Sequence, residues 1–459
     1  MSRHRHFVGI GGIGMSALAR LLLARGERVS GCDVLETPLI ARLRVEGAQI
    51  AIGHHAAHLG DADSVIVSSA IDRQNPEIVQ ARRLGLPIVH RGELLAELLD
   101  ERDGIAICGT HGKTTTTAMT HAVLRAGGID AGLALGGIDI ALDTNAWPPA
   151  AAWFVTEADE SDGSFMRLHP RIAVLTNVEN DHLASDDELP ALAESLAAFL
   201  AGLPRAGVAI VGLDDPRCAQ LLAGLRTVRT RTFGLAVRAD VRAERIRCEN
   251  FKTTFDAVVD GCRLGSITLP LPGVINVRNA LAALTVGGEL GIPFARMAYG
   301  LETFLGVRRR FEVLFAGERM SVVDDYAHHP TAVRETIAAA RAVHAGPLLV
   351  AFQPHRYTRT AYLAPDFAHA LRGADAIYLA PIYAASEEPI TGVDVHTVGD
   401  PLERAGGRVS YVTQVDDLVD RLIRDAPQGA LVLMLGAGNI SDVAAALATQ
   451  LRAQVQAPV

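Results

Sequence analysis

Short runs rich in apolar residues recur along the chain, most ending in glycine or polar residues and leading into an Ala- and Leu-rich stretch. In the first hundred residues the runs are His6–Ile10, Arg28–Asp33, Ser64–Ser68 and Pro87–Val89, with helical composition over Met15–Ala24. The pattern restarts at Gly104–Cys108 and continues through Trp153–Thr156, Ile172–Thr176 and Val208–Val211. It restarts again at Met320–Val323, followed by Leu348–Phe352, Ala376–Leu379 and Ala430–Leu435, with a helix predicted over Thr331–Val343. Runs that do not alternate predict strands buried on both faces, and strands separated by helices predict parallel sheets. Residues 226–272 are different. They alternate, carry polar turns and predict short antiparallel strands before a helix over Asn276–Leu290. The restarts divide the chain into three α/β units, 1–102, 103–306 and 307–459.

Composition narrows the function classes. A chain of 459 residues fits several domains, and 49% hydrophobic with 21% charged residues is a composition that folds. The formal net charge of −9 argues against a nucleic-acid scaffold, which needs a basic face. No apolar run reaches the roughly eighteen residues of a membrane span. Arg3 and Arg5 precede an apolar stretch, but Gly9, Gly11, Gly12 and Gly14 interrupt it. A cytoplasmic protein with neither a nucleic-acid nor a membrane partner is expected. The five cysteines (Cys32, Cys108, Cys218, Cys248, Cys262) form no C-x-x-C pair, which predicts a reducing compartment and no zinc site. Only two of the 43 basic residues are lysines, Lys113 and Lys252, so the position of each carries weight.

Glycine motifs and strand-end polar clusters supply the candidate chemistry. Gly9-Ile10-Gly11-Gly12-Ile13-Gly14 lies between a strand and a helix, where glycines let backbone approach a diphosphate at a helix N-terminus. Asp33 follows at the distance of a ribose-binding acid, so NAD and a nucleotide sugar both remain open. Gly109-Thr110-His111-Gly112-Lys113-Thr114-Thr115 is a phosphate loop with one departure, because Ile107 stands where the strict spacing places glycine. Its amides cradle phosphates, Lys113 pairs with β/γ oxygens and Thr114 ligates Mg²⁺. Arginine has not replaced Lys113, consistent with a tight loop needing a compact charge. Glu157–Asp162 ends a strand on the ligand edge of the same sheet and reads as Mg²⁺ ligands or a water-orienting base; Asn177–His182 ends the next strand on that edge, where its carboxylate and imidazole are expected to hold a second Mg²⁺ or a transferring phosphate. In the third unit, Asp324–Pro330, Phe352–Arg359 and Gly436–Ile440 end strands, with Arg356 and Arg359 as a forked anion site.

With these motifs in order over nearly its whole length, the chain resembles the Mur ligases of bacterial cell-wall synthesis. Further matches are His6–Ser16, Thr176–His182 and Gly306–Glu312. The resemblance implies a Rossmann-like N-terminal domain for a UDP-sugar. It implies a central P-loop ATPase domain with a parallel sheet plus a small antiparallel sheet, and a Rossmann-like C-terminal domain for an amino acid. It thereby turns the first glycine motif toward UDP. The implied reaction is ATP-dependent joining of L-alanine to the lactyl carboxylate of UDP-N-acetylmuramate, through an acyl phosphate and a tetrahedral intermediate. Two other readings stand beside it: a ligase that attaches a whole tripeptide to the same UDP-sugar, and a non-catalytic protein that binds ATP and a nucleotide sugar. An NAD oxidoreductase accounts for the first unit alone.

By resemblance, Lys113, His182, His328, Arg356 and Arg359 are catalytic, and Thr114, Glu157 and His182 hold Mg²⁺. ATP falls to Gly109–Thr115, Asn276, Asn279 and Arg310; the UDP-sugar falls to Gly11, Gly12, Ile13, Gly14, Met15, Asp33, Ser69 and His182. Two departures from the family pattern are Ala184, where an aspartate is usual, and Ile275, where a histidine is usual. Some related ligases bridge metals with a carbamylated lysine; neither Lys113 nor Lys252 lies in a suitable segment, so none is expected. Closure of the domains on substrate is expected.

Overall fold

In the computed structural model, which describes residues 2–148, 152–160, 162–180 and 188–456, the strands assemble into three sheets. The first has order β3-β2-β1-β4-β5, all parallel: β1 (His4–Val8), β2 (Arg28–Asp33), β3 (Gln49–Ile52), β4 (Ser64–Val67) and β5 (Ile88–His90). Helices α1 (Ile13–Ala24), α2 (Pro38–Val45) and α3 (Pro76–Leu84) lie between these strands, and α4 (Arg91–Asp100) follows β5. β1 begins two residues before the predicted run and ends at Val8, because Gly9 adopts φ +76° and turns the chain.

The second sheet has ten strands in the order β15-β14-β13-β12-β11-β10-β6-β9-β7-β8. These are β6 (Asp103–Cys108), β7 (Gly132–Asp139), β8 (Thr144–Trp147), β9 (Trp153–Glu157), β10 (Ile172–Leu175), β11 (Val208–Gly212), β12 (Arg229–Gly234), β13 (Val241–Glu249), β14 (Lys252–Val259) and β15 (Cys262–Leu269). Its helices are α5 (Lys113–Ala126), α6 (Leu189–Ala201), α7 (Pro216–Gly224), α8 (Val274–Glu289) and α9 (Phe294–Glu302). The alternating segment does not make a separate sheet. β12 lies parallel to β11, and β13, β14 and β15 extend the same sheet through two-residue turns at Asn250-Phe251 and Asp260-Gly261, all four residues with φ between +48° and +81°. A hairpin edge, β7 antiparallel to β8, closes the other side.

The third sheet has order β16-β17-β21-β18-β19-β20: β16 (Glu312–Ala316), β17 (Met320–Asp325), β18 (Leu348–Phe352), β19 (Ala376–Leu379), β20 (Val409–Tyr411) and β21 (Ala430–Leu435). Only β16 runs antiparallel. Buried residues on one face pack with α10 (Pro330–Val343), α11 (Tyr357–Leu371) and α12 (His396–Arg404). The other face packs with α13 (Asp417–Asp425) and α14 (Ile440–Gln456). Several helices start on an N-capping side chain followed by proline: Thr37-Pro38, Asn75-Pro76, Asp215-Pro216 and His329-Pro330. The cap satisfies an orphan amide and proline lacks one, so these starts are fixed locally.

The chain divides into two compact units, residues 1–244, 256–267 and 278–304 in one and residues 245–255, 268–277 and 305–459 in the other. In the first unit, the cores of the first two sheets run together from Phe7 and Leu18 to Phe154 and Leu200. Arg20 reinforces the joint by donating to Thr144 Oγ1 (3.0 Å) and Asn145 Oδ1 (2.7 Å). Among the described residues, no helix is long and apolar enough to cross a membrane.

Candidate functional site

The second glycine loop lies between β6 and α5. Ile107 is inside β6, paired with Val174 on one side and Glu157 on the other, so the turn begins only at Gly109. That is why the strict spacing fails here. Gly109 has φ +112°, and a Cβ there would lie 2.4 Å from Thr176 Oγ1. Gly112 has φ +82°, and its Cβ would meet Asn279 Oδ1 at 2.5 Å. The end of β10 clamps the loop: Thr110 N donates to Asn177 O (3.1 Å), His111 N to Asn177 Oδ1 (2.8 Å) and Thr176 Oγ1 to His111 O (2.8 Å). His111 Nε2 and Glu179 Oε2 are 3.1 Å apart.

Lys113 opens α5 with its ammonium folded back over the loop. It donates to Gly109 O (2.8 Å) and Thr110 O (3.2 Å), and both Glu160 carboxylate oxygens lie 2.9 Å away. Burial pulls the lysine pKa down, and the Glu160 charge more than reverses this, so the ammonium holds its proton above the ordinary range. Thr114 Oγ1 donates to Glu157 Oε2 (3.0 Å), while Gly136 N, on the unpredicted β7, holds Glu157 Oε1 (2.5 Å). A hydroxyl and carboxylates form an oxygen donor set, which suits a hard dication such as Mg²⁺. Thr115 is buried. Thr116 Oγ1 donates to Asn279 Oδ1 (3.1 Å), and Asn276, one turn earlier on α8, donates to Pro272 O (2.8 Å). His182, Ala184 and Ser161 lie outside the described residues.

The first glycine turn has no lysine or arginine within its own loop. Gly9 N and Ile10 N donate to Cys32 O (2.9 and 3.0 Å), and Gly11 N donates to Asp33 Oδ2 (2.8 Å). Val34 N takes the other Asp33 oxygen (2.7 Å), so Asp33 shapes the turn. Gly12 caps α1, Ile13 is exposed, and a Cβ on Gly14 would meet Arg91 Nη1 at 3.5 Å. Met15 was expected along the UDP-sugar; its side chain is 2% exposed and belongs to the core, because it faces inward on α1. Ser69 Oγ lies 3.2 Å from His90 Nε2 and donates to Asp162 Oδ2 (3.2 Å). Arg91 was not singled out from the sequence. Its Nη2 reaches Asp159 Oδ2 (2.7 Å) and Asp162 Oδ2 (2.8 Å), tying the strand-end acids to the start of α4. Burial pushes the Asp162 carboxyl up, but the Ser164 hydroxyl and Arg91 hold it below the usual range.

In the second unit, Asp324 and Asp325 are the last residues of β17 rather than the loop beyond it, paired with Met434 and Leu435. Asp325 accepts from Phe311 N (2.7 Å) and Ala327 N (2.8 Å). Asp324 accepts from Ser441 Oγ (2.5 Å), and burial pushes its carboxyl up to about 6. His328 Nδ1 bonds to Tyr326 O (2.8 Å), and a row of rings runs Tyr326, His328, His355, Tyr383, with centroids 4.9, 5.5 and 5.7 Å apart. Arg309 and Arg310 lie over Tyr326 at 4.9 and 5.0 Å, and Arg309 Nη2 donates to Gly436 O (2.7 Å). Arg356, at φ +69°, caps α11, and Arg359 sits in its first turn with Nη1 3.4 Å from His355 Nδ1. The two arginines thus share a helix N-terminus, a pole that favours anions. Tyr326, His355, Tyr383 and Arg309 had no role from the sequence; Tyr326 and His355 lie within the strand-end motifs and Arg309 within the Gly306–Glu312 match, while nothing in the sequence pointed to Tyr383.

In the first unit the second glycine loop carries one lysine beside oxygen donors and the first glycine turn is shaped by Asp33; the second unit has a basic, aromatic strand edge. Residues 4–103 match the Mur ligase family, catalytic domain; residues 107–287 match the Mur ligase middle domain; residues 309–438 match the Mur ligase, glutamate ligase domain. The UDP-N-acetylmuramate–L-alanine ligase of Geotalea uraniireducens is 43% identical over 448 residues, covering 97% of this chain and 98% of that protein. The crystal structure of the UDP-N-acetylmuramate–alanine ligase of Thermotoga maritima superposes with a TM-score of 0.84 at 29% identity, over 98% of this chain and 99% of that one. The murein peptide ligase of Psychrobacter arcticus gives 0.73 at 25% identity over the full length of both.

Proposed function

The chain belongs to the Mur ligase family, and from that premise we propose that it joins L-alanine to the lactyl carboxylate of UDP-N-acetylmuramate. ATP drives the step, and the products are UDP-N-acetylmuramoyl-L-alanine, ADP and phosphate, in cytoplasmic peptidoglycan synthesis. The carrying observation is similarity to L-alanine ligases from end to end, with a structural match of 0.84 to an alanine ligase against 0.73 to a murein peptide ligase.

The chemistry follows from charge. A carboxylate is a poor electrophile because oxide is a poor leaving group. Its oxygen attacks the γ-phosphorus, the bond to ADP breaks, and the resulting acyl phosphate carries a leaving group. The alanine amine attacks the acyl carbon, and the tetrahedral intermediate expels phosphate as the nitrogen loses a proton. Two anions must meet, so neutralisation dominates catalysis. Lys113 would exchange Glu160 and loop carbonyls for γ-phosphate oxygens, with the loop amides on the phosphates and Asn276, Asn279 and Arg310 on the nucleotide. Thr114 and Glu157 would hold Mg²⁺, which lowers the charge on the phosphates when bound. The Gly11–Gly14 turn, Asp33 and Ser69 would line the UDP-sugar, Arg356 and Arg359 the substrate carboxylates, and His328 the reacting groups. Domains 1–102, 103–306 and 307–459 would carry UDP-sugar, ATP and amino acid.

Phosphate release with ATP and UDP-N-acetylmuramate decides the reading. Release is expected with L-alanine and not with the L-alanyl tripeptide; the reverse assigns the tripeptide ligase. Binding of both nucleotides with no alanine-dependent release leaves only a binding protein. Arg359→Ala is expected to raise the substrate requirement or abolish turnover, and unchanged kinetics remove its anion role.

A further inference from the structure

The first unit holds a second polar cluster that the ligase reaction does not use. His6 on β1, Cys32 on β2 and Glu77, the second residue of α3, are fully buried, and one ligand atom of each lies within 4.8 Å of the others. His54, just after β3, adds a fourth ligand atom: its Nδ1 is 3.1 Å from Cys32 Sγ and 3.8 Å from Glu77 Oε2. His6 Nε2 is 3.4 Å from the same Glu77 oxygen. A tetrahedral zinc ion, with bonds of about 2.0–2.3 Å, places its ligand atoms roughly 3.3–3.6 Å from one another. Three of the five separations that involve an imidazole nitrogen, 3.1, 3.4 and 3.8 Å, bracket that range, and the His6 and Cys32 ligand atoms lie within 4.8 Å of each other. Cys32 Sγ and Glu77 Oε2, 2.6 Å apart, would part by about 1 Å.

The surrounding contacts hold the ligand atoms in place. Glu77 Oε1 accepts from His55 N (3.0 Å) and His58 Nδ1 (2.8 Å), which leaves Oε2 aimed into the cluster. Asp61 lies 2.9 Å from His4 Nδ1, His4 Nε2 lies 2.8 Å from Ser30 Oγ, and Ser30 Oγ lies 2.8 Å from His6 Nδ1. Followed from Asp61, this chain places the His6 proton on Nδ1. The Nε2 lone pair then faces a carboxylate oxygen, acceptor against acceptor, in a buried site. A metal-binding histidine held by its other nitrogen has this arrangement. His54, with its side chain 22% exposed, gives a route from solvent.

We propose that His6, Cys32, His54 and Glu77 bind a transition-metal dication, zinc by the softness of the donor set. The Cys32 thiol proton leaves to solvent on binding. Thiolate, carboxylate and two neutral imidazoles then balance the dication's charge. The expectation of no zinc site rested on cysteine spacing along the chain; these ligands come from four separate elements. The role is structural: the ion ties β1, β2, the end of β3 and α3 together beneath the glycine turn, whose Gly9 and Ile10 amides rest on the Cys32 carbonyl.

The test uses the untagged full-length protein, purified without chelators from zinc-supplemented cells and dialysed. Elemental analysis is expected to find stoichiometric zinc. Cobalt reconstitution is expected to give intense visible bands of a tetrahedral site together with a thiolate-to-cobalt charge-transfer band. Cys32→Ser removes that band, which separates this site from oxygen ligands at the ATP loop. His54→Ala, at the exposed rim, lowers zinc retention at least tenfold while circular dichroism stays native. The proposal is overturned by wild-type zinc content no higher than that of His54→Ala, or by a cobalt spectrum without a thiolate band.

Discussion

The two glycine turns of the first unit have the same backbone plan and differ in where the charge sits. Each follows a buried parallel strand and opens a helix. At Gly9–Gly14 the shape is set by the Cys32 carbonyl and by Asp33, an acid beside the turn. At Gly109–Gly112 it is set by the β10 end, with Lys113 and a cluster of carboxylates around it. A diphosphate that stays intact needs only amides and a helix pole. A phosphate that is transferred changes its charge distribution, and a cation is needed where the charge develops. On the proposed reading, one motif would serve binding in one place and chemistry in the other.

The largest effect should come from removing that cation. Lys113→Ala is expected to lower phosphate release by roughly 10²–10³-fold or more, with calorimetric UDP-N-acetylmuramate binding unchanged. Near-normal turnover would remove the distinction between the turns. Lys113→Arg should also be impaired, because the planar guanidinium cannot replace a compact charge between Gly109 O, Thr110 O and Glu160.

The backbone comes next. Gly109→Ala forces a Cβ against Thr176 Oγ1 at φ +112°, at a cost of about 1–3 kcal/mol, so both the melting temperature and phosphate release should fall. Gly12→Ala meets nothing closer than Gly9 O at 3.5 Å, so melting should not move while the KM for the UDP-sugar rises. Equal thermal effects at the two positions would mean that both turns are limited by packing.

The smallest effect concerns the link between them. Arg91→Gln removes the partner of Asp159 and Asp162, and should destabilise by about 1 kcal/mol at neutral pH. The folded Asp162 carboxyl lies below its ordinary 3.8, so the stability it contributes is present above that value and is lost as pH falls through the folded one. The gap between variant and parent in urea denaturation should therefore close in acid. A gap that persists once the carboxyls are protonated would mean the arginine acts by packing.

Strand existence was legible over most of the chain because buried parallel strands read as apolar runs, and β18, β19 and β21 fall on their predicted residues. The β7–β8 hairpin was not, since Gly132–Asp139 carries too few apolar residues to stand out. Nor was the parallel pairing of β12, which depends on its neighbour and not on its own pattern. Lys113 was legible from scarcity and motif together. Arg91 was not, because its acids are 68 and 71 residues away.

By itself the sequence determined what is local: where most strands lie, which glycine motifs follow them, and which loop carries a lysine. Those depend on φ/ψ preference and apolar runs, all written within a few residues of the effect. Only the tertiary structure decided which polar groups meet. Strand order brings Gly136 to Glu157, Arg91 to Asp162, and His6, Cys32 and Glu77 together with His54 beside the last two, because contact between distant residues is a property of the sheet and not of spacing along the chain.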